Sequence, residues 1–255
     1  MLPVSGVALA IREPTGEDEI YVLETTLAPR PAFVELARRV ACTSAGRPVD
    51  WNSLPATDLD AAALITRWSW IGGVIRTDAH CPGPGCGERI DVSFGIKDYL
   101  EHHRPRRPRS VVGMAGTDWF TLTGATVRFR IPTVADLLAA AACDRPAEEL
   151  TSRCVDAPEL SAALSRRLDR ALSALAPNLD DLLGGSCPGC GHQVAMRFDP
   201  LGYTLAELRQ AFAGIHLEIH ALAAAYGWAE DVILALPRSR RRRYASMIAD
   251  ERRAG

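Results

Sequence analysis

The sequence predicts an α+β protein made of two degenerate halves, each running strand, helix, helix, cysteine knuckle, strand. The halves share one zinc-ribbon-like site and are followed by a helical C-terminal module. Three observations carry this reading. Cys86-Gly-Glu-Arg-Ile-Asp-Val-Ser-Phe94 and Cys190-Gly-His-Gln-Val-Ala-Met-Arg-Phe198 share Cys, Gly, a β-branched residue and Phe at identical offsets. Upstream, the alternating runs Val7–Ile11 and Val127–Ile131 lead into Pro14-Thr15-Gly-Glu-Asp18 and Pro132-Thr133-Val-Ala-Asp136. Each reads as a strand followed by a helix whose Thr and Asp form a capping box. From Thr204 the pattern changes to an apolar stripe at three- and four-residue steps (Leu205, Leu208, Phe212, Ile215, Ile219, Leu222), the mark of one long amphipathic helix.

Between the capped helices and the cysteine turns, Asp58–Leu64 and Glu159–Leu164 again resemble each other and read as helices. The order of features therefore points to duplication rather than chance similarity in an Ala-rich chain. The expected division is 1–100 for the first half, 101–118 for an Arg/Pro-rich linker, 119–203 for the second half and 204–255 for the helical module. Two prolines and four arginines in Glu101–Ser110 cannot continue a helix. In the tail, Tyr226-Gly-Trp228 ends the long helix, Ala229–Leu236 forms a short one, and Pro237 precedes a basic third helix over Arg238–Arg253.

Composition narrows the function classes. With 255 residues, 47% of them hydrophobic and 24% charged, the chain can bury a core without disulfides and is neither disordered nor coiled-coil. Its longest apolar stretches fall far short of the ~20 residues that span a bilayer. The apolar N-terminus lacks the basic flank of a signal peptide, so a cytoplasmic protein with no membrane partner is expected. The net charge of −2 argues against a general polyanion binder, and nucleic acid is not the expected partner. Lys97 is the only lysine, an arginine bias attributed to a GC-rich genome.

The strongest chemical signal lies in His80-Cys81-Pro-Gly-Pro-Gly-Cys86-Gly87 and Cys187-Pro-Gly-Cys190-Gly191. A Cys-Pro-x-Cys-Gly turn directs two sulfurs to one point, and the glycine after the second Cys accepts a positive φ. Two such knuckles supply four thiolates, the closed coordination of a structural Zn2+. The candidate ligands are therefore Cys81, Cys86, Cys187 and Cys190, with His80 and His192 as neighbours able to substitute or support. Redox Cys-x-x-Cys motifs sit at a helix start after a strand, whereas both knuckles here precede strands. Free cysteine turns are the remaining alternative.

Other candidates weigh less. His216 and His220 have a metal-compatible spacing, but the intervening Glu218 stands outside the His-Glu-x-x-His order. Cys42, Cys143 and Cys154 read as packed thiols. No Gly-rich phosphate loop, supported Ser/His/Asp set or paired carboxylates occur, so an enzyme is not expected. Tyr226, Trp228, Leu236, Arg241, Arg242 and Tyr244 place large side chains and guanidinium groups around two chain breaks, the composition of a partner-binding surface. The segment 238–253 carries seven arginines against two acids, which keeps nucleic-acid binding as the alternative.

The opening Gly6–Asp18, the segment Phe129–Asp136, Cys187–Gly191 and above all Glu218–Pro237 followed by Arg241-Arg-Arg-Tyr244 resemble the T-even-type phage baseplate protein family. The Tyr-Gly-Trp, Leu-Pro, Arg-Arg, Tyr tail is the most specific part. The resemblance implies a non-enzymatic baseplate component or hub-assembly factor of a contractile phage tail or bacterial contractile injection system. Its implied partners are other baseplate or hub proteins, and its implied location is the cytoplasm or the assembled tail. The widened first knuckle and the arginine-proline linker depart from the family pattern.

Overall fold

The computed structural model describes residues 1–157 and 160–254, and the fold is mixed α+β. The chain passes twice through one order of element types. The first passage is β1 (Leu9–Ile11), α1 (Gly16–Glu24), α2 (Pro29–Val40), β2 (Ala41–Thr43), α3 (Ala56–Trp70), β3 (Val74–His80), β4 (Arg89–Gly95) and α4 (Ile96–His102). After β5 (Val111–Gly113) and β6 (Trp119–Leu122), the second is β7 (Arg128–Arg130), α5 (Val134–Ala141), α6 (Pro146–Cys154), β8 (Val155–Asp156), α7 (Ala162–Leu175), β9 (Asp181–Ser186), β10 (Gln193–Phe198) and α8 (Pro200–Phe212). Three helices follow: α9 (Ile215–Tyr226), α10 (Glu230–Leu234) and α11 (Arg238–Ala254).

Each passage holds more than the sequence pattern foresees. Helices α2 and α6 and the short strands β2 and β8 were not anticipated, because both helices open on proline and both strands are brief. Proline is tolerated in a first helical turn, where its missing N–H has no intrahelical partner. Ala32, Phe33, Leu36, Ala37 and Val40 then bury one face of α2. Of the motif Glu159–Leu164, Glu159 lies outside the described residues and Ser161 caps α7, its hydroxyl accepting the Leu164 amide at 3.3 Å.

Both passages begin with the same local device. Strands β1 and β7 run into Arg-x-Pro-Thr-x-x-Asp, with Arg12, Thr15 and Asp18 in one and Arg130, Thr133 and Asp136 in the other. The Asp18 carboxylate accepts the Thr15 N–H at 2.8 Å, and Asp136 accepts that of Thr133 at 2.9 Å. Each arginine then grips both carboxylate oxygens, Arg12 at 2.6 and 3.1 Å and Arg130 at 2.5 and 2.8 Å. A bidentate guanidinium pair fixes direction as well as charge, so strand end and helix start are held as one piece. Strands β2 and β8 return antiparallel onto β1 and β7. In each case the threonine also bridges to a proline that precedes another helix, Thr15 to Pro237 and Thr133 to Pro55.

Two compact units emerge, and neither is continuous in sequence. The first comprises 1–8, 50–65 and 73–200. Its sheet has the antiparallel order β5-β6-β7-β8, and Val111, Leu122 and Phe129 pack against Leu168, Ala171 and Leu175 of α7. It also holds the two hairpins β3-β4 and β9-β10.

The second unit comprises 9–49, 66–72 and 201–255, so the C-terminal helices share a body with the first strand and helices rather than standing as a module of their own. The expected long helix is broken: Ala213 and Gly214 separate α8 from α9, and Leu205, Leu208, Phe212, Ile215 and Leu222 are buried on either side of the break. Gly16 permits a close approach, since a Cβ there would lie 2.8 Å from Leu234 Cα.

The arginine latch generates a stability prediction. Burial opposes ionisation of Asp136, but Arg130 and the Thr133 N–H and hydroxyl outweigh it and hold the carboxyl well below the ordinary carboxylate range. A folded pKa below the unfolded one means that this stabilisation is present above about pH 4 and is lost as pH falls from there. Asp136→Asn, which leaves Arg130 unpaired, should cost on the order of 3 kcal/mol in urea unfolding at neutral pH. The difference from wild type should shrink in acid; a pH-independent difference would remove the ion pair as its cause.

Candidate metal centre

The two hairpins bring four sulfurs to one place. In the first, His80 and Arg89 close the β3-β4 ladder, the Cys81 amide donates to the Glu88 carbonyl at 2.8 Å, and the Cys86 amide donates to the Gly83 carbonyl at 3.0 Å. In the second, Ser186 and Gln193 close the β9-β10 ladder and the Cys187 amide donates to the His192 carbonyl at 2.8 Å. Gly87 and Gly191, each following the second cysteine of its turn, have φ of 62° and 74°. That left-handed conformation is what lets the chain leave the turn into the returning strand. The two extra residues of the first knuckle form a wider turn, and its sulfurs still reach the same point.

The sulfurs of Cys81, Cys86, Cys187 and Cys190 all lie within 4.8 Å of one another. Cys81 and Cys190 are 3.5 Å apart and Cys86 and Cys187 are 3.8 Å apart. Zinc–sulfur bonds of about 2.3 Å produce a tetrahedron with edges of about 3.8 Å, so these separations match shared coordination. They are far above the ~2.05 Å of a disulfide. Cys81 and Cys187 are buried, Cys86 is half-buried and Cys190 is exposed. Hydrogen bonds from the Cys190 and Gly189 amides bring the Cys187 thiol down to about 7. For Cys81 the Gly83 amide pulls down, but burial and the neighbouring sulfurs push further, up to about 12.

The paired offsets of the sequence have a physical outcome. Ile90 and Val194, four residues after Cys86 and Cys190, pack with Ala79 against the sulfurs. Phe94 and Phe198, four residues further on, meet edge to face at 5.2 Å, and Tyr99 of α4 contacts both at 5.1 and 5.4 Å. The Tyr99 hydroxyl donates to the Leu179 carbonyl at 2.7 Å. The hairpins thus meet at one end through the four sulfurs and at the other through an aromatic cluster.

No family model, curated protein or solved structure matches this chain. What the centre can do therefore rests on its own geometry: four cysteines that can hold one metal ion.

The remaining candidates separate clearly. His80 and His192 are exposed and stand outside the sulfur cluster. His216 and His220 are exposed on α9, and the glutamate between them accepts a hydrogen bond from Arg241 at 2.9 Å. Cys154 is buried, and burial pushes its thiol up to about 11. Cys143 is not the packed thiol expected from its apolar neighbours: it is exposed, because α5 ends at Ala141 and the chain turns outward there.

Among the proposed partner-binding residues, Arg241 requires correction. It is fully buried, donating to Glu19 at 2.7 Å and to Glu218 at 2.9 Å. Burial pushes the Glu19 carboxyl up, against the pull of Arg241 and Arg238. No periodicity announced this pair, whose members are 222 residues apart. Arg242 is exposed, and Tyr226 retains 41% of its surface. Trp228, Leu236 and Tyr244 are half-buried. Tyr226, Trp228 and Tyr244 stack on one another with ring centroids 5.0 to 6.2 Å apart, and Trp228 and Tyr244 cover Leu222, Ile233 and Ile248. Part of this aromatic set therefore closes the core of the helical tail.

Two measurements follow. Protein prepared without chelator should contain one zinc per chain by elemental analysis, and Cys187→Ser should abolish that stoichiometry and lower the melting temperature sharply; absence of stoichiometric metal in the wild type would reject the centre. Arg241→Met should destabilise by roughly 3 kcal/mol, the cost of removing the hydrogen-bonded partner of a buried carboxylate, while Arg242→Met should stay within about 0.5 kcal/mol. Equal effects of the two substitutions would contradict the burial of Arg241.

Proposed function

We propose that this protein is a non-enzymatic baseplate component or hub-assembly factor of a contractile phage tail or bacterial contractile injection system, with one structural zinc joining its two halves. The observation that carries the metal part is the set of four sulfurs within 4.8 Å of one another at the adjoining ends of two hairpins. A tetrahedral zinc held by four thiolates has no position left for substrate or water, so its role is to fix one hairpin on the other. The recurrence of β-α-α-β-α-hairpin-α supports an internal duplication, and the metal then lies where the two copies of the knuckle meet.

The assembly role rests on the resemblance of the C-terminal Tyr-Gly-Trp, Leu-Pro, Arg-Arg, Tyr pattern to the baseplate family. Tyr226 and Arg242 are the members of the predicted docking set that are exposed, and an exposed tyrosine and an exposed arginine are residue types that suit a protein contact. No helix among the described residues is long and apolar enough to cross a membrane. The protein would act in the cytoplasm where tails assemble, or within the finished particle.

The test is composition of the particle. Tail particles and their assembly intermediates, purified from cells that express the chain, should contain it by mass spectrometry. Tyr226→Ala should retain zinc and lower its recovery in those particles by about tenfold, the effect of losing ~1.4 kcal/mol at an interface anchor. A chain absent from every intermediate, with tails assembling normally without it, would overturn the reading.

A further inference from the structure

Many arginines in this protein are neutralised by a carboxylate. Arg12, Arg67, Arg130, Arg153, Arg197 and Arg241 each pair with a carboxylate. One region of the first unit departs from this. Arg104, Arg106, Arg107 and Arg109 lie between α4 and β5, and Arg166, Arg167 and Arg170 lie on α7; among the described residues none of the seven forms an ion pair. Six of them are exposed and Arg167 is half-buried.

The two groups are held together by the fold. The Arg106 amide donates to the Ala174 carbonyl in the last turn of α7 at 2.6 Å, and the Thr123 amide donates to the Ser110 carbonyl at 2.9 Å. Arg167 donates to the Thr123 carbonyl at 2.9 Å, so its guanidinium is fixed across the same strand end. Between them is a cavity of about 330 Å³, lined by Pro108, Ser110, Leu122, Arg167, Arg170 and Ala171. Pro105 and Pro108 keep the arginine segment out of a helix. Asp169 is the one acid in α7.

We infer that this face binds the phosphate backbone of a nucleic acid, with Arg167, Arg170 and Ser110 holding a phosphate in the cavity and the other arginines following the strand outward. Guanidinium groups donate two parallel hydrogen bonds to phosphate oxygens, and Leu122 with Ala171 gives the cavity an apolar floor for a sugar. An acidic protein partner fits less well. Protein interfaces centre on apolar or aromatic anchors, and none of the large exposed apolar side chains lies in 104–110 or α7. Nucleic-acid interfaces are more polar and far more positive. The tail helix, where sequence alone placed basic contacts, is the poorer candidate because Arg238 and Arg241 are drawn inward onto Glu19.

This inference is independent of the assembly role and has its own readout. Binding of a short mixed-sequence DNA duplex by the full-length, zinc-loaded chain is measured by fluorescence anisotropy over a series of salt concentrations. Each phosphate contact contributes about 0.9 to the slope of log affinity against log salt, so a slope of about −4 or steeper is expected. Arg166→Ala with Arg170→Ala should flatten it by about 2 and weaken binding at least tenfold, with zinc content and melting temperature unchanged. Arg242→Ala with Arg243→Ala should leave the slope as in wild type. No binding at low salt, an unchanged slope in the α7 variant, or a flattened slope in the tail variant alone would overturn the proposal. Equal affinity for a polyglutamate of matched charge would transfer the face to an acidic protein. Particle recovery of the α7 variant separates the two roles, since it should match wild type.

Discussion

Four sulfurs that crowd within 4.8 Å set the condition that the first unit must meet. Thiolates at that spacing repel one another unless a cation is shared among them, and thiols there would bury weak donors with poor acceptors. A tetrahedral metal would resolve both problems and would turn two marginal hairpins into one joined element. A lone two-stranded hairpin is barely stable in water, and β3-β4 and β9-β10 each form a separate two-stranded sheet. The Phe94, Phe198 and Tyr99 cluster gives the pair a second point of attachment. With a metal at the sulfur end, both ends would be fastened and neither hairpin could twist away independently.

The second recurring constraint is the Arg-x-Pro-Thr-x-x-Asp latch. Asp18 and Asp136 are almost wholly buried, which would be costly for lone carboxylates. Each is surrounded by an arginine, a backbone N–H and a threonine hydroxyl, so that its oxygens are satisfied. The same residues that end the strand therefore begin the helix, and the local geometry leaves little freedom to either. The Glu19, Arg241 and Glu218 group in the second unit is a different case. There the charges are brought together from distant segments and make the final helix part of the body to which residues 9–49 belong.

These two kinds of electrostatics explain how the arginines divide. Some, such as Arg130 and Arg241, are consumed by structure, paired with buried carboxylates and carrying no outward charge. Those of 104–109 and of α7 keep their charge facing solvent. A net charge of −2 conceals this arrangement, because the average is taken over guanidinium groups that are already neutralised and others that are not.

The sequence by itself determined the mixed α+β class, the two cysteine turns and the capped helix starts, since each depends on residues within one turn or one ladder of each other. A Cys-Pro-x-Cys-Gly turn or a Thr-x-x-Asp cap carries its reason locally: a positive φ at glycine, a carboxylate reaching a nearby amide. It also held the paired offsets at Ile90 and Val194 and at Phe94 and Phe198, whose meaning became visible once they were found in contact. Helices α2 and α6 were hidden behind their opening prolines, and the break at Ala213 and Gly214 behind an unbroken apolar stripe. Only the tertiary structure decided that Arg241 is buried, that Cys143 is exposed, and that the C-terminal helices and residues 9–49 belong to one unit. Those outcomes depend on which distant segment supplies the opposing charge or surface, and no period or spacing along the chain encodes that choice.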